Sequence, residues 1–467
     1  MPAPWLRKPE EWGVEPVPPE KRKLRAFDLG VLWFSLGVGL LVLFAGALLR
    51  LLFGLSLYEV LWVTVVGSVI GSLMLAAAGL LGARHGVPTM VSLRPVLGRK
   101  ASWIPSGVNA FQLLGWASFE LMIMGLGLTL VSGPFLGSAT VFVWIAVLAT
   151  WVALLALGGP LMVIRQWLEK VAVWIVIAST LWLTYVVVTH PNFLLSFFTP
   201  SMAGNRPLGL ALDLVIAMPV SWWPLVADYN RFARRPRDSF MGTFIGYTLS
   251  NSWFYFLGAA VLVVFGLADL SAGPVAFLLA ITSTVLGSLV LLLIIVDETD
   301  NAFANVYSTA VSAQNIGPRM SQRRLIVGTS LVAFLVGSVL ASQWQVFAPL
   351  YEGFLLFIGG VFVPLLGVLV ADQIIRRAYS APEFGDRAPA AKAIALVSWG
   401  VGVATYFAIT GVGLVGTPFF ITDPVWSSPV GASLPAFFVA IGLHIGLSRA
   451  EALLAARRAP ASGSGNP

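Results

Sequence analysis

Residues 218–228, Met-Pro-Val-Ser-Trp-Trp-Pro-Leu-Val-Ala-Asp, set two prolines and two tryptophans in the middle of an apolar segment. Each proline removes a backbone donor and clashes with the preceding turn, so Pro219 to Pro224 is not expected to form a regular helix. Backbone groups freed at membrane depth persist only where they line a cavity or are buried in protein. A second weak point, Gly37 and Gly39, falls in the first apolar run. Breaks in the first and sixth runs occupy corresponding positions of two five-helix halves. That placement is the sequence sign of an inverted-repeat transporter with a site near the midplane. No repeat is detectable by identity, so the breaks alone carry this reading.

The composition places the breaks in a membrane protein. The 467 residues are 58% apolar and 10% charged, with mean hydropathy +0.88, which excludes an ordinary soluble multidomain chain. A crossing helix needs about 20 mostly apolar residues. Twelve segments qualify, at 29–53, 57–82, 104–131, 139–158, 163–188, 208–228, 240–267, 284–313, 325–341, 346–374, 392–415 and 432–448. The fold class is therefore an all-α polytopic membrane protein of about twelve helices.

The sequence pI near 9.8 does not indicate nucleic acid, because the basic residues mark topology. They recur at every second joint: Arg22 to Arg25; Arg84, Arg94, Arg99 and Lys100; Arg165 and Lys170; Arg231, Arg234, Arg235 and Arg237. The same side continues with Arg319, Arg323 and Arg324, then Arg376, Arg377, Arg387 and Lys392, then Arg449, Arg457 and Arg458, while the opposite joints hold only Arg50 and Arg206. The positive-inside rule puts both termini in the cytoplasm of a multi-pass inner-membrane protein. The first run is longer than a signal-peptide core and reads as a retained helix. Cys is absent, which excludes disulfides and thiolate metal ligation. Met1 to Pro19 is Pro-rich, with two Trp suited to the interface, and Ala459 to Pro467 reads as disordered. Asp269 to Ile281 is too short to span and reads as a re-entrant or surface helix on the outer side, placed to act as a lid.

Ionisable groups at membrane depth are costly and by default line a cavity or ion path. In the third segment Asn109, Gln112, Trp116 and Glu120 recur at helical spacing and form one stripe. It offers a flat stacking surface one turn from a strong acceptor. The same amides would also serve as interhelical hydrogen bonds, and Trp116 as core. The eighth segment carries Asp297, Glu298, Thr299, Asp300, Asn301 and Asn305 in mid-helix. These oxygens suit a hard monovalent cation or a proton, although successive residues point different ways, so some must face other helices. A purely structural buried network is the alternative.

Several apparent motifs carry nothing. Gly411, Gly413 and Gly416 match a dinucleotide fingerprint but follow no strand. His85, His190 and His444 are far apart in sequence and near segment ends, which argues against a zinc site. No nucleophile elbow or metalloprotease helix is present. In the tenth segment Glu352 lies near the outer end and reads as a gating residue, and Asp372 reads as an interfacial charge.

Five stretches resemble one family over nearly the whole chain: Leu32 to Ser35 (LWFS), Gly82 to Gly98 (GARHGVPTMVSLRPVLG), Gly115-Trp116, Ala227 to Ala233 (ADYNRFA) and Asp297 to Ser308 (DETDNAFANVYS). The chain resembles the nucleobase:cation symporters of the purine, cytosine, allantoin and hydantoin permease type. The last stretch looks like the subgroup assigned to hydroxymethylpyrimidine transport in thiamine salvage. The resemblance implies a LeuT-type fold of two inverted five-helix repeats plus two helices. On this chain that gives a cytoplasmic segment 1–28, repeats 29–188 and 189–374, additional helices 375–450 and a tail 451–467. It further implies a cation-coupled symporter, functional as a monomer, without an enzymatic cofactor.

By the same resemblance the cargo stacks on Trp116, bonds Glu120 one turn later and meets Asn305. The cation, Na+ or H+, is held by Ser35, Val38, Val296, Thr299 and Asp300. A sixth-helix aromatic is also implied. Counting back from Asp228 puts Pro219 there, so Trp222 is the substitute. Gly39, Gln112 and Ser221 complete the expected substrate set. The chain departs from the family pattern at Glu120, a carboxylate in place of an amide, and at Asp300, an acid in place of a hydroxyl ligand. An acid in a cation site either strengthens sodium binding or carries a proton.

Glu120 narrows the cargo on physical grounds. A 4-aminopyrimidine shows a ring-nitrogen acceptor beside an amine donor, and one carboxyl group meets both. Uracil or hydantoin, with an imide N–H between carbonyls, fits less well. The expected cargo is hydroxymethylpyrimidine first and cytosine second. A channel would need a continuous polar lining, and an enzyme a nucleophile-base pair or metal constellation. The polar residues here concentrate at one depth instead.

Overall fold

The computed structural model describes residues 12–160, 164, 173–200, 207–266, 273–385, 388–411, 425–426 and 428–458. Among these, nine helices are long and apolar enough to cross a bilayer, and Ala26–Ser35 with Leu40–Phe53, bent by 60°, makes a tenth span. Val173–Val188 and Gly287–Ile316 complete a series of twelve. In chain order the second, third and fourth spans are Leu57–His85, Trp103–Ser132 and Gly137–Gly158, and Val173–Val188 is the fifth. Leu208–Asn230, Pro236–Val264 and Gly287–Ile316 are the sixth to eighth. Gln322–Ser342, Phe347–Arg376, Ala393–Thr410 and Ser433–Arg458 follow as ninth to twelfth. The sequence segments match these to within a few residues at most ends. Arg165, Lys170, Arg206 and Arg387 lie outside the described residues, as do 1–11, 267–272, Gly413, Gly416 and the tail from Ala459.

Local chemistry explains where spans begin and end. Ser56 and Glu59 form a capping box: the Glu59 N–H donates to the Ser56 hydroxyl at 3.3 Å and the Ser56 N–H to Glu59 Oε2 at 2.8 Å. The same helix stops at Gly86, whose φ of 72° is a left-handed conformation that residues with side chains rarely adopt. Gly273–Thr282, on the outer stretch expected to be too short to span, is a 10-residue helix whose Phe277 ring packs against Phe44 at 6.1 Å.

The sixth span differs from expectation. Pro219 lies inside a helix that runs from Leu208 to Trp222, and the irregular turn is confined to Trp223–Leu225 before Val226–Asn230. Tertiary packing offsets the local penalty. The proline ring fills a notch over Gly71 of the second span, where a Cβ would overlap it. The Tyr255 hydroxyl donates to the Leu214 carbonyl at 3.0 Å, next to the carbonyl that Pro219 leaves without a helical donor. Pro224 opens the following turn, where its missing N–H has no consequence. The first span breaks as expected, between Ser35 and Leu40.

The described part of the N-terminal segment, from Trp12 on, packs against the helices. Leu24 bridges to Ala233, and Val17 and Leu24 are fully buried. The Arg231 guanidinium donates to the Gly13 carbonyl at 2.7 Å and to the Tyr307 hydroxyl at 3.2 Å. Asp372, one turn before the tenth span ends at Arg376, is 5% exposed, accepts from the Tyr379 hydroxyl at 2.7 Å and lies 3.5 Å from His444 Nε2 and 3.9 Å from Arg376 Nη1.

Spans without a hydrophobic drive between them pack through small residues, and here the first and seventh spans meet at Gly30 with Gly242 and Gly246, and at Gly46 and Gly258. A Cβ on Gly258 would overlap the Leu43 carbonyl, which is backbone and cannot turn aside. Gly258→Val is therefore expected to destabilise the protein by about 1–3 kcal/mol or more through overpacking. Thermal unfolding of the purified variant in detergent checks this, against Gly400→Val, where a Cβ meets nothing within 4 Å.

Candidate functional site

The third and eighth spans run antiparallel and are joined by polar rungs. The Asn315 amide donates to Ser106 Oγ at 2.8 Å and to Ser102 Oγ at 3.1 Å, and Asn109 donates to Ser312 Oγ at 2.8 Å. Further along, Asn305 Nδ2 donates to both oxygens of Glu120, at 2.8 and 3.0 Å. Glu298, Asn301, Asn305, Ser308 and Ser312 recur at helical spacing and form one face of the eighth span. The sequence stripe and the sequence cluster thus face each other, and all of these residues are buried.

Trp116 stands one turn before Glu120 with its indole Nε1 unpartnered among the described residues. Its ring packs edge-on against Tyr351 at 5.8 Å and Phe354 at 5.5 Å of the tenth span, and Gly115 leaves room for the Phe354 ring. Phe119 packs on Phe347, Tyr351 and Phe354 at 5.3, 5.9 and 5.1 Å. This aromatic wall was missed in the sequence, although Phe347, Tyr351 and Phe354 show the i, i+4, i+7 spacing of a helix face.

The amides of the third span serve the broken sixth span. Gln112 Nε2 donates to the Ser221 carbonyl at 3.0 Å and to Asn109 Oδ1 at 2.7 Å, and Asn109 reaches the Pro224 carbonyl at 3.3 Å. Gln112 Oε1 and Asn305 Oδ1 are left without a hydrogen-bond partner among the described residues. The Ser221 hydroxyl is turned back onto Met218 O at 2.6 Å, and the Trp222 ring meets Trp33 edge-on at 6.3 Å. No ring contact joins Trp222 to Trp116 among the described residues. The open polar atoms around Trp116 and Glu120 are thus mostly acceptors, which suits a flat cargo rich in N–H donors.

At the first break the eighth span holds both halves of the bent helix. The Ser35 hydroxyl donates to Asp297 Oδ1 at 2.8 Å, Asn301 Nδ2 donates to the Val38 carbonyl at 2.9 Å, and the Leu40 N–H donates to Glu298 Oε2 at 2.7 Å. Gly39 sits between them, where a Cβ would come 2.5 Å from Glu298 Oε2. The Thr299 hydroxyl donates to the Val296 carbonyl at 2.7 Å. Both oxygens of Asp300, fully buried, make no hydrogen bond of good geometry among the described residues, although the Ser35 hydroxyl and the Asn301 N–H lie close enough to act on the carboxylate. A buried carboxylate without a well-formed hydrogen bond is strongly unfavourable unless a cation or proton reaches it. The Val38 carbonyl at the break retains a second lone pair, whereas the Val296 carbonyl already serves its helical donor and the Thr299 hydroxyl.

The remaining family-like stretches meet each other below this site. Trp33 Nε1 donates to Asn230 Oδ1 at 2.9 Å, joining the stretch 32–35 to 227–233. The Thr89 N–H donates to Asp228 Oδ1 at 3.0 Å and the Ala227 N–H to Thr89 Oγ1 at 2.8 Å, a reciprocal cap between 82–98 and 227–233.

Comparison with known proteins agrees with this architecture. The cytosine permease of Escherichia coli K12 is 28% identical over 385 residues, covering 78% of this chain and 80% of that protein. The purine-cytosine permease FCY21 of Saccharomyces cerevisiae is 22% identical over 466 residues, with 94% and 84% covered. In structure the chain is similar to Mhp1, a nucleobase-cation-symport-1 family transporter, in a closed conformation with bromovinylhydantoin bound: TM-score 0.78, 17% identity, 95% of this chain and 96% of that one. A Na+-coupled sialic acid symporter in a substrate-bound outward-open state gives TM-score 0.64 at 13% identity, covering 95% and 93%. The fold is the LeuT-type arrangement, in a multi-pass membrane protein. The profile of a family described as permease for cytosine/purines, uracil, thiamine, allantoin matches residues 16–383. On that match the chain is a transport protein, not an enzyme, and it belongs to this family of cytosine, purine, uracil, thiamine and allantoin permeases.

Proposed function

We propose that the protein is a cation-coupled symporter that imports a small aminopyrimidine by alternating access. The observation that carries this is the buried Glu120–Asn305 pair beside Trp116, with unpartnered acceptors around it. Asn305 uses two of the roughly four lone-pair sites of the carboxyl group; of the rest, one accepts from the cargo amine, and the ring edge is met by accepting from a protonated ring N–H or, if Glu120 itself carries the proton, by donating to the ring nitrogen. Trp116 supplies the stacking face, Gln112 Oε1 and Asn305 Oδ1 supply further acceptors, and Gly39, Ser221 and Trp222 border the same depth. Hydroxymethylpyrimidine is the first cargo and cytosine the second, the latter favoured by the similarity to a cytosine permease.

The cation lies at the junction of the first and eighth spans, among Ser35, Val38, Val296, Thr299 and Asp300. These are hard oxygen donors suited to Na+, and Asp300 could hold a proton instead. Its binding favours the outward-open state that accepts cargo, and that shared preference is the coupling. Residues 29–188 and 189–374 form the inverted repeats and 375–450 the added helices. The Lys and Arg distribution supports an inner-membrane location with cytoplasmic termini, and one subunit holds every residue of the site.

Proteoliposome uptake of radiolabelled hydroxymethylpyrimidine, cytosine and uracil, under separate sodium and proton gradients, tests this reading. Gradient-driven uptake of the two aminopyrimidines is expected, with uracil at least about tenfold weaker because it forfeits a charge-assisted hydrogen bond. Equal handling of uracil would overturn the aminopyrimidine assignment.

A further inference from the structure

The second half of the first span, Leu40–Phe53, is a 14-residue helix that begins in mid-membrane with Gly39 at its N-cap. The first N–H groups of such a helix have no internal partner, and its end carries partial positive charge. In broken-helix transporters an end of this kind attracts the anionic group of a cargo. Here the chain supplies its own carboxyl group. Glu298 Oε2 accepts from the Leu40 N–H at 2.7 Å, with the Leu41 N–H also acting on the carboxylate. Glu298 is 1% exposed and packs directly on Gly39. Glu120, Asp297 and Asp300 share this depth, and among the described residues no Lys, Arg or His forms an ion pair with any of the four acids.

We propose that Glu298 is a built-in substitute for a cargo carboxylate: by occupying the positive end of the half-helix it makes the transporter select uncharged or cationic heterocycles and refuse anionic ones. The inference rests on reading the first break as part of the cargo site. It assigns a specificity-determining role to a residue that makes no contact with cargo itself. The neighbouring acids reinforce the effect, since an anionic cargo at this depth would face four acidic side chains, no ion-paired Lys, Arg or His among the described residues, and only one helix end.

Two readouts test it. The first needs no cargo. Sodium formate, a carboxylate small enough for the space left by Glu298→Ala, is expected to raise the thermal unfolding temperature of that variant and not of the wild type, with sodium chloride as control. No effect on the variant, or an equal effect on both proteins, contradicts the assignment. The second is competition for uptake by 4-amino-2-methylpyrimidine bearing either hydroxymethyl or carboxylate at C5. In the wild type only the hydroxymethyl compound should compete. In Glu298→Gln, which keeps an acceptor for Leu40 but loses the charge, the preference should fall at least about tenfold. Equal competition by both compounds in the wild type overturns the inference. If neither competes, the cargo reading fails and the formate measurement still decides the role of Glu298.

Discussion

Glu120→Gln is expected to reduce the affinity for an aminopyrimidine by about 10–100-fold, the range for one charge-assisted hydrogen bond lost from a buried site. The glutamine has one acceptor oxygen where Glu120 has two, and its amide would point a donor at the Asn305 amide that now donates to both oxygens. The cargo amine loses its charged acceptor at the same time. Folding should suffer far less, because the neighbouring rungs at Asn109 and Asn315 remain. Equilibrium binding and thermal unfolding of the same preparation separate the two effects. Unchanged binding in a folded variant contradicts the assigned role.

Asp300→Asn should abolish the stimulation of uptake by a cation gradient while leaving the protein folded. The Ser35 hydroxyl and the Asn301 N–H, the donors that act on the Asp300 carboxylate, can both still reach the single amide oxygen, so the substitution costs little packing or hydrogen bonding. It removes the charge that answers a cation at this depth. A neutral amide still offers one oxygen, so weak binding of cargo without coupling is the expected residue of activity. Uptake measured with and without sodium and proton gradients checks it, and full coupling retained in the variant would place the cation elsewhere.

Apolar run lengths and the spacing of basic residues made the twelve spans legible, because the bilayer imposes length and sidedness on any sequence. Helical periodicity made the polar faces of the third and eighth spans legible too. Periodicity names a face and not its partner, however. That Glu298 would cap a half-helix starting at Leu40, 258 positions away, depends on tertiary placement that no local pattern encodes. The same holds for the Arg231 contact with Gly13, which turns an apparent tail into part of the packed structure. At Pro219 the local rule anticipated a break, and with the ring seated over the notch at Gly71 the helix runs on to Trp222. At Gly37 and Gly39 no packing overrides the rule, and the helix breaks where the sequence suggested.

An experimental density map of the protein with an aminopyrimidine and its coupling ion tests the central claim most directly. The account predicts a planar density on the Trp116 ring, with its amine edge at Glu120 and Asn305 and the ion beside Asp300. Cargo density on another surface, or those three side chains opening onto separate cavities, would contradict it.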